Sequence, residues 1–272
     1  MFQDRIQAGR LLGERLRRFE DLKPLVLGLP RGGVPVATEV ARALDAPLDV
    51  IVVRKLGVPG HPEYAMGAIG EGDVRFVDWQ VVTSAGVTAA QLTEVIRWER
   101  EELARRAKKF RAGYPRLDLF GHTVIIVDDG IATGSTVTAA IRVARDLGAG
   151  RVIVATPVAP EDAVQRLREI ADEVVVLETP RPFYAVGQVY GDFSQTGDGE
   201  VTSILQRARA WRRSHLLRPT TSSANVTMTT RFTPMAMRSA ISILGSPTVP
   251  RAPALASPWD DRPRLAGCRH PI

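Results

Sequence analysis

The sequence lacks the features on which several classes of protein depend. Its 272 residues include one cysteine, Cys268, which excludes a disulfide framework and a cysteine-based metal site. It has no run of about 18 apolar residues, the length needed to span a membrane. The opening residues, MFQDRIQAGR, also lack the apolar region of a secretory signal. We therefore expect a cytoplasmic protein with no membrane partner.

Acidic residues and lysine are almost missing from the C-terminal part of the chain. Residues 212–272 contain nine arginines, no lysine and two aspartates, a net charge of +7. Residues 1–211 hold 27 basic and 28 acidic side chains, so the overall charge of +6 comes from the C-terminal segment. A nearly neutral main part argues against a nucleic-acid partner. Because residues 212–272 are also rich in Pro, Ser and Thr and have no periodicity, we predict a domain over 1–211 and disorder beyond it.

Short apolar runs alternate with helical patterns through residues 1–211. Buried strands are predicted at 24–29, 48–53, 123–129, 151–158 and 173–177, with helical segments at about 6–19, 31–46, 135–147 and 161–171. This alternation predicts an α/β fold, in which helices flank a mostly parallel sheet. Ligands of such sheets bind beyond the carboxyl ends of the strands, so functional residues are expected in the turns there.

The segment between the second and third of these strands has a different pattern. Glycine and proline punctuate Lys55–Asp73, which predicts a long loop or a hairpin. Short strands are predicted around 74–82. Thr88 is a candidate N-cap for a long, charged helix that runs to about Phe110.

The most specific pattern is VIIVDDGIATGST at residues 124–136. An apolar strand brings two adjacent carboxylates, Asp128 and Asp129, to its carboxyl end, and a turn of small residues leads into a helix near Ser135. Such a turn directs backbone N–H groups at one point, where the helix N-terminus adds positive potential. Gly134 allows a ligand to approach the backbone closely. The pattern predicts a phosphate-binding loop, and the neighbouring carboxylates require a ligand that also carries hydroxyls or a metal ion.

Two other phosphate-binding motifs do not fit this turn. A P-loop carries lysine directly after its second glycine, whereas Ser135 follows Gly134 here. The dinucleotide fingerprint G-x-G-x-x-G is absent. The remaining alternative is an ordinary strand-to-helix turn with an acidic end and no ligand.

Residues 124–136 closely resemble the signature of the type I phosphoribosyltransferase family, which is an apolar strand, two acids, a small-residue loop and a helix. The resemblance implies that Asp128 and Asp129 address the ribose hydroxyls of phosphoribosyl pyrophosphate and help, indirectly, to hold Mg²⁺ with ligand oxygens. It implies a 5′-phosphate loop made of Gly130, Ile131, Ala132, Thr133, Gly134, Ser135 and Thr136. It also implies a parallel core sheet, a mobile loop and a small hood that selects the acceptor.

Two further segments fit this family. LPRGG at 29–33 ends the first strand, where the family places a pyrophosphate loop; here its residues are Pro30, Arg31, Gly32 and Gly33. Arg31 would add a cation for the same group, although a glycine turn with a solvated arginine remains an alternative. Arg54 and Lys55 lie where the 55–73 segment begins and are candidates for the flexible loop, with Lys55 neutralising the leaving pyrophosphate. Surface lysines are common, so a purely structural role stays open.

Aromatic residues cluster after the last predicted strand, in PFYAVGQVYGDF. Phe183 and Tyr184 are candidates for the hood, where they would stack on a flat acceptor base, and packing in the core is the alternative. The order of the motifs also resembles a bacterial subgroup of uncharacterised phosphoribosyltransferase-domain proteins, over residues 2–210.

The implied activity is transfer of the phosphoribosyl group to a nitrogen acceptor, with release of pyrophosphate. A non-catalytic protein that senses phosphoribosyl pyrophosphate on the same fold is the main alternative. A third possibility is one half of a two-part protein. Dimers are common on this fold, so a homodimer is also an expectation.

Overall fold

The computed structural model describes residues 1–72 and 74–216, with side chains as far as Trp211. The helices are α1 Arg5–Leu16, α2 Gly33–Ala43, α3 Trp79–Ser84, α4 Ala89–Arg111, α5 Ser135–Asp146, α6 Glu161–Arg168 and α7 Asp198–Leu216. The strands are β1 Leu25–Gly28, β2 Leu48–Val50, β3 Val53–Val58, β4 His61–Gly70, β5 Arg75–Val77, β6 Thr123–Val127, β7 Arg151–Val158 and β8 Glu173–Glu178. Two 3₁₀ helices span Arg17–Leu22 and Val186–Val189.

Five strands form a parallel sheet in the order β2-β1-β6-β7-β8. Alternate residues of each strand point to opposite faces, so Val26 and Ile125 pack with α1, α2 and α7, whereas Leu27 and Ile126 pack with α5 and α6. Burial on both faces explains why the strands are continuous apolar runs. The predicted architecture of a parallel sheet flanked by helices is confirmed.

The segment predicted as a long loop or hairpin is a hairpin. Strands β3, β4 and β5 form a separate antiparallel sheet, the hood of the fold, with an irregular register around Gly57. Arg54 and Lys55 therefore lie in a strand and not in a loop, which corrects the flexible-loop prediction for these two residues. The predicted strand at 48–53 is split, because the chain leaves the parallel sheet after Val50 and enters the hood at Val53.

Helix α4 joins the two sheets. Thr88 caps it as predicted, in a capping box with Gln91. At its other end the buried Arg111 binds Asp49 of β2 and donates to the carbonyl of Val50. Helix α4 thus links the hood to the edge strand β2, and α5, which packs on both β3 and β4, is the second support of the hood.

Helix α7 crosses the domain boundary predicted at 211/212, since it runs to Leu216. Residues 217–272, for which disorder was predicted, lie outside the described residues. Within the described part of the chain, no helix combines the length and the apolar character needed to cross a membrane.

Candidate functional site

The acid pair follows directly from β6, at the carboxyl edge of the parallel sheet. The backbone N–H of Asp129 donates to the Asp128 carboxylate at 2.9 Å, and both residues are half-buried. Burial, reinforced by the negative charge of Asp129, raises the pKa of Asp128 well above its ordinary value. Two close carboxylates that differ in environment can hold one proton between them or bind groups that carry hydroxyls.

Asp129 is held by Arg5, which the sequence analysis missed, and by Tyr190, which it noted only as part of an aromatic cluster. Arg5 Nε of α1 donates to Asp129 Oδ2 at 2.7 Å, across 124 residues of sequence. The phenol of Tyr190 donates to the backbone carbonyl of Asp129 at 2.6 Å. The one signal in the sequence is a basic residue in the first turn of a helix, where it opposes the helix dipole.

The predicted pyrophosphate loop lies against the acid pair. A β-carbon built on Gly32 would overlap the Asp129 carboxylate, and one on Gly33 would come within 2.6 Å of the Val127 carbonyl. The peptide bond between Pro30 and Arg31 is cis. Because neither glycine has a side chain, the loop backbone reaches the two aspartates directly.

Arg31 projects from this loop and is 38% exposed. Its guanidinium lies 3.8 Å from the carboxylate of Asp198, which forms a closer ion pair with Lys109 at 2.7 Å. Arg31 therefore has a weak partner and an accessible charge, which suits a residue that binds an anion.

The residues of the predicted phosphate loop make a sharp turn into α5. Gly134 adopts φ +78°, a conformation that favours glycine, and α5 begins at the next residue. Ile131 is buried and its N–H donates to the Val158 carbonyl at 2.9 Å, which anchors the loop. Ala132, Thr133 and Thr136 are exposed, while the first-turn N–H groups of α5 have no acceptor within the helix.

The other residues of the loop contact each other and the segment after β8. The hydroxyl of Thr133 lies 3.0 Å from that of Ser135. A β-carbon built on Gly130 would overlap Val186 of the 3₁₀ helix, so the segment after β8 closes tightly on the start of the loop.

Arg54 and Lys55 share a cleft beside α4, and Lys55 also lines a second cleft at the phosphate loop. Adjacent residues of a strand point to opposite faces, and Arg54 is paired with Glu99 of α4 at 2.6 Å. Lys55 lines a cleft of about 250 Å³ with Thr133 and Ser135 of the phosphate loop. Two cations that sequence reasoning missed, Arg142 and Arg166, line the same cleft. Their signal was weak, because both lie inside helices and outside the motifs at 29–33 and 124–136.

The two hood candidates lie outside the antiparallel hood sheet, in the segment between β8 and α7. Phe183 is half-buried against a cluster that includes Phe2, Val158 and Tyr190. Tyr184 is 82% exposed. Tyr184 therefore has the free aromatic surface that stacking on a ligand would need. Phe183 packs against the core instead.

The donor set of this site includes two hard carboxylates and no softer ligand. Such oxygens suit Mg²⁺, which usually keeps waters or substrate oxygens in its coordination shell. Within the described residues, no group of three or more His, Cys, Asp or Glu side chains is placed to hold a metal ion. The acid pair thus fits a metal that is shared with a ligand.

The chain is similar to several known proteins. A protein named "Putative phosphoribosyl transferase" from Mycobacterium tuberculosis is 54% identical over 208 residues, which are 76% of this chain and 47% of that protein. The chain thus spans about half the length of the curated relatives it matches. Ribose-phosphate pyrophosphokinase of Pyrococcus furiosus is 33% identical over 124 residues, 44% of each chain.

A solved structure and a family model also match this chain. The crystal structure of TT1426 from Thermus thermophilus aligns with a TM-score of 0.70 and 44% sequence identity, and the alignment covers 76% of this chain and 98% of that one. The family model described as phosphoribosyl transferase domain matches residues 3–192, which contain the acid pair and both loops. The chain belongs to the phosphoribosyl transferase domain family.

Proposed function

We propose that this protein is a phosphoribosyltransferase, which transfers the 5-phosphoribosyl group from phosphoribosyl pyrophosphate to a nitrogen acceptor, in the first instance a nucleobase. The observation that carries the proposal is the meeting of three parts at one sheet edge. The Asp128–Asp129 pair lies between the phosphate loop, which it directly precedes, and the Gly32–Gly33 loop, which it touches.

The acid pair and the phosphate loop would hold the phosphoribosyl group. Asp128 and Asp129 accept hydrogen bonds from the ribose hydroxyls, and the N–H groups at the start of α5 bind the 5′-phosphate. The hydroxyls of Thr133 and Ser135 are close enough together to serve the same phosphate. The cleft cations Lys55, Arg142 and Arg166 add positive charge beside this loop.

The pyrophosphate end would lie on the other side of the acid pair. The backbone of Gly32 and Gly33 approaches that group closely, and Arg31 and Lys55 neutralise the charge that grows as it leaves. The transition state at C1 resembles an oxocarbenium ion, so the protein mainly positions the sugar and stabilises the leaving group. Exclusion of water by the hood prevents hydrolysis of the donor.

Mg²⁺ is part of this proposal. Bound to pyrophosphate and ribose oxygens with help from Asp128 and Asp129, it would supply charge stabilisation for the leaving group. Support for a phosphorylated ribose ligand also comes from the local similarity to a ribose-phosphate pyrophosphokinase, whose name states that substrate.

The proposal is tested by calorimetric titration of phosphoribosyl pyrophosphate into the full chain, with and without Mg²⁺. We expect Mg²⁺-dependent binding that is lost in the double variant Asp128→Asn/Asp129→Asn. The matched control is Glu20→Gln/Asp21→Asn, an adjacent pair of exposed acids far from β6 in sequence. Equal binding by the Asp128/Asp129 variant and the wild type would overturn the assignment.

Turnover is then tested by release of pyrophosphate in the presence of purine and pyrimidine bases. Release that depends on one base identifies the acceptor. Binding without release for any nitrogen acceptor would favour the alternative, a protein that senses phosphoribosyl pyrophosphate without turning it over.

A further inference from the structure

Arg5 occupies a position that the local structure does not favour. It is the first residue of α1, where the helix N-terminus carries partial positive charge, so a cation there is electrostatically unfavourable. Asp4 already caps this helix by accepting from the Gln7 N–H at 2.7 Å. The reason for a guanidinium at residue 5 must therefore lie outside the helix.

The contacts of Arg5 converge on the acid pair and the segment after β8. Its Nε donates to Asp129 Oδ2 at 2.7 Å, and its Nη1 donates to the Ser194 carbonyl at 2.7 Å. The guanidinium carbon also lies 4.1 Å from the centre of the Phe193 ring. The side chains of Arg5 and Asp129 are 12% and 14% exposed, so this pair is largely shielded from solvent.

The aromatic contacts of Arg5 extend to the backbone of Asp129. Phe193 stacks on Tyr190 at 5.0 Å between ring centres, and the Tyr190 hydroxyl donates to the Asp129 carbonyl. The N-terminal residues are joined to the same segment, since the Phe2 N–H donates to the Val189 carbonyl at 2.7 Å. Arg5, near the N-terminus, therefore holds the carboxylate of Asp129, and Tyr190, in the segment after β8, holds its backbone.

We propose that Arg5 is a positioning residue that presents the Asp129 carboxylate to the sugar of a phosphoribosyl ligand. Arg5 engages Oδ2, so a ribose hydroxyl can donate to Oδ1 of a carboxylate that is already oriented. A carboxylate fixed in advance binds without the cost of ordering it. This inference rests on the proposed function for the identity of the ligand.

Arg5→Gln tests the inference through discrimination between two ligands of the phosphate loop. Ribose 5-phosphate contacts both the loop and the carboxylates, whereas methyl phosphate can contact only the loop. We expect Arg5→Gln to reduce the preference for ribose 5-phosphate over methyl phosphate about tenfold, the scale of one charge-assisted hydrogen bond. Arg5→Lys, which keeps the charge but not the planar fork, should retain part of the preference.

A purely structural role of Arg5 would give a different result. If Arg5 only joined the N-terminus to the domain, Arg5→Gln would lower the melting temperature and leave the ratio of the two dissociation constants unchanged, which would overturn the inference. The matched control is Arg10→Gln in the same helix. Arg10 is 69% exposed, and its partner Glu39 still pairs with Arg42 when Arg10 is replaced. The ratio of the two dissociation constants should therefore stay at the wild-type value.

The same titrations separate this inference from the proposed function. If the wild type prefers ribose 5-phosphate and Arg5→Gln loses that preference, the inference stands even when phosphoribosyl pyrophosphate fails to bind. If the wild type binds phosphoribosyl pyrophosphate with Mg²⁺ and Arg5→Gln discriminates as the wild type does, the inference alone fails.

Discussion

Arg111, at the end of α4, and Asp49 of β2 form a buried ion pair, with Nε 3.2 Å from Oδ2 and side chains 6% and 1% exposed. Arg209 of α7 reaches the same carboxylate at 3.3 Å, and the Leu117 N–H donates to it at 3.1 Å. One carboxylate therefore ties α4, α7 and the loop before β6 to the edge of the parallel sheet. The hood is linked to this carboxylate through α4, and it also packs on α5.

Asp49→Ala should destabilise the fold by about 3 kcal/mol, the lower end of the cost of breaking a buried pair, because Arg209 loses its carboxylate partner while Arg111 keeps Glu71. The free energy of unfolding, measured by urea denaturation, checks this value. Glu14→Ala removes an exposed partner of Arg17, so we expect a much smaller effect on the free energy of unfolding there. Equal losses in the two variants would show that the Asp49 network contributes no more than a surface pair.

Gly32→Ala should weaken binding of phosphoribosyl pyrophosphate by at least about tenfold. Gly32 has φ −63°, so alanine meets no backbone strain, and the added β-carbon displaces the Asp129 carboxylate. Displacement of a positioned group by about 1 Å can cost roughly 100-fold. The control is Gly199→Ala in α7, where a β-carbon meets no described atom within 4 Å. Unchanged affinity in Gly32→Ala would contradict the close approach of loop and acid pair.

The raised pKa of Asp128 predicts how stability depends on pH. Burial and the charge of Asp129 raise this pKa in the folded state, so the folded protein binds the proton more tightly than the unfolded chain. The free energy of unfolding should then fall as pH rises from about 4, the unfolded pKa, up to the folded pKa, by about 1.4 kcal/mol for each unit of elevation.

Asp128→Asn provides the comparison, because asparagine has nearly the same shape and does not ionise. Urea denaturation of both proteins across this pH range, with a chelator present, should give a smaller slope for the variant. A stability that rises with pH in the wild type and not in Asp128→Asn would mean that the pKa of Asp128 is lowered instead.

Lys55→Gln should mainly weaken ligand binding and Arg54→Gln should mainly lower stability, although the two residues are adjacent. Lys55 lines the cleft with the phosphate loop, and its partner Glu63 is 93% exposed, so its loss should weaken ligand binding about tenfold with little change in stability. Arg54 is half-buried with Glu99, so its loss should lower the melting temperature and leave affinity nearly unchanged. Calorimetry and thermal unfolding of each variant measure the two effects. Weaker binding in Arg54→Gln and lower stability in Lys55→Gln would show that Arg54 binds the ligand and that Lys55 is structural.

The strand–turn–helix motif at 124–136 could be read from the sequence because its information is local. A buried run, two acids, small turn residues and a helix start follow one another, and backbone geometry then determines where the carboxylates and N–H groups point. The same holds for Thr88, whose cap depends only on the next three residues. The family, the parallel sheet and the acid pair were thus available before any contact was known.

The partners of the acid pair could be found only in the folded chain. Arg5 meets Asp129 across 124 residues, and neither residue has a local pattern that indicates the other. The different directions of Arg54 and Lys55 depend on which face of β3 meets α4, and the split of the predicted strand at 48–53 depends on where the hood leaves the parallel sheet. Local propensities and periodicity determine the elements, but packing between distant elements decides which side chains surround the site.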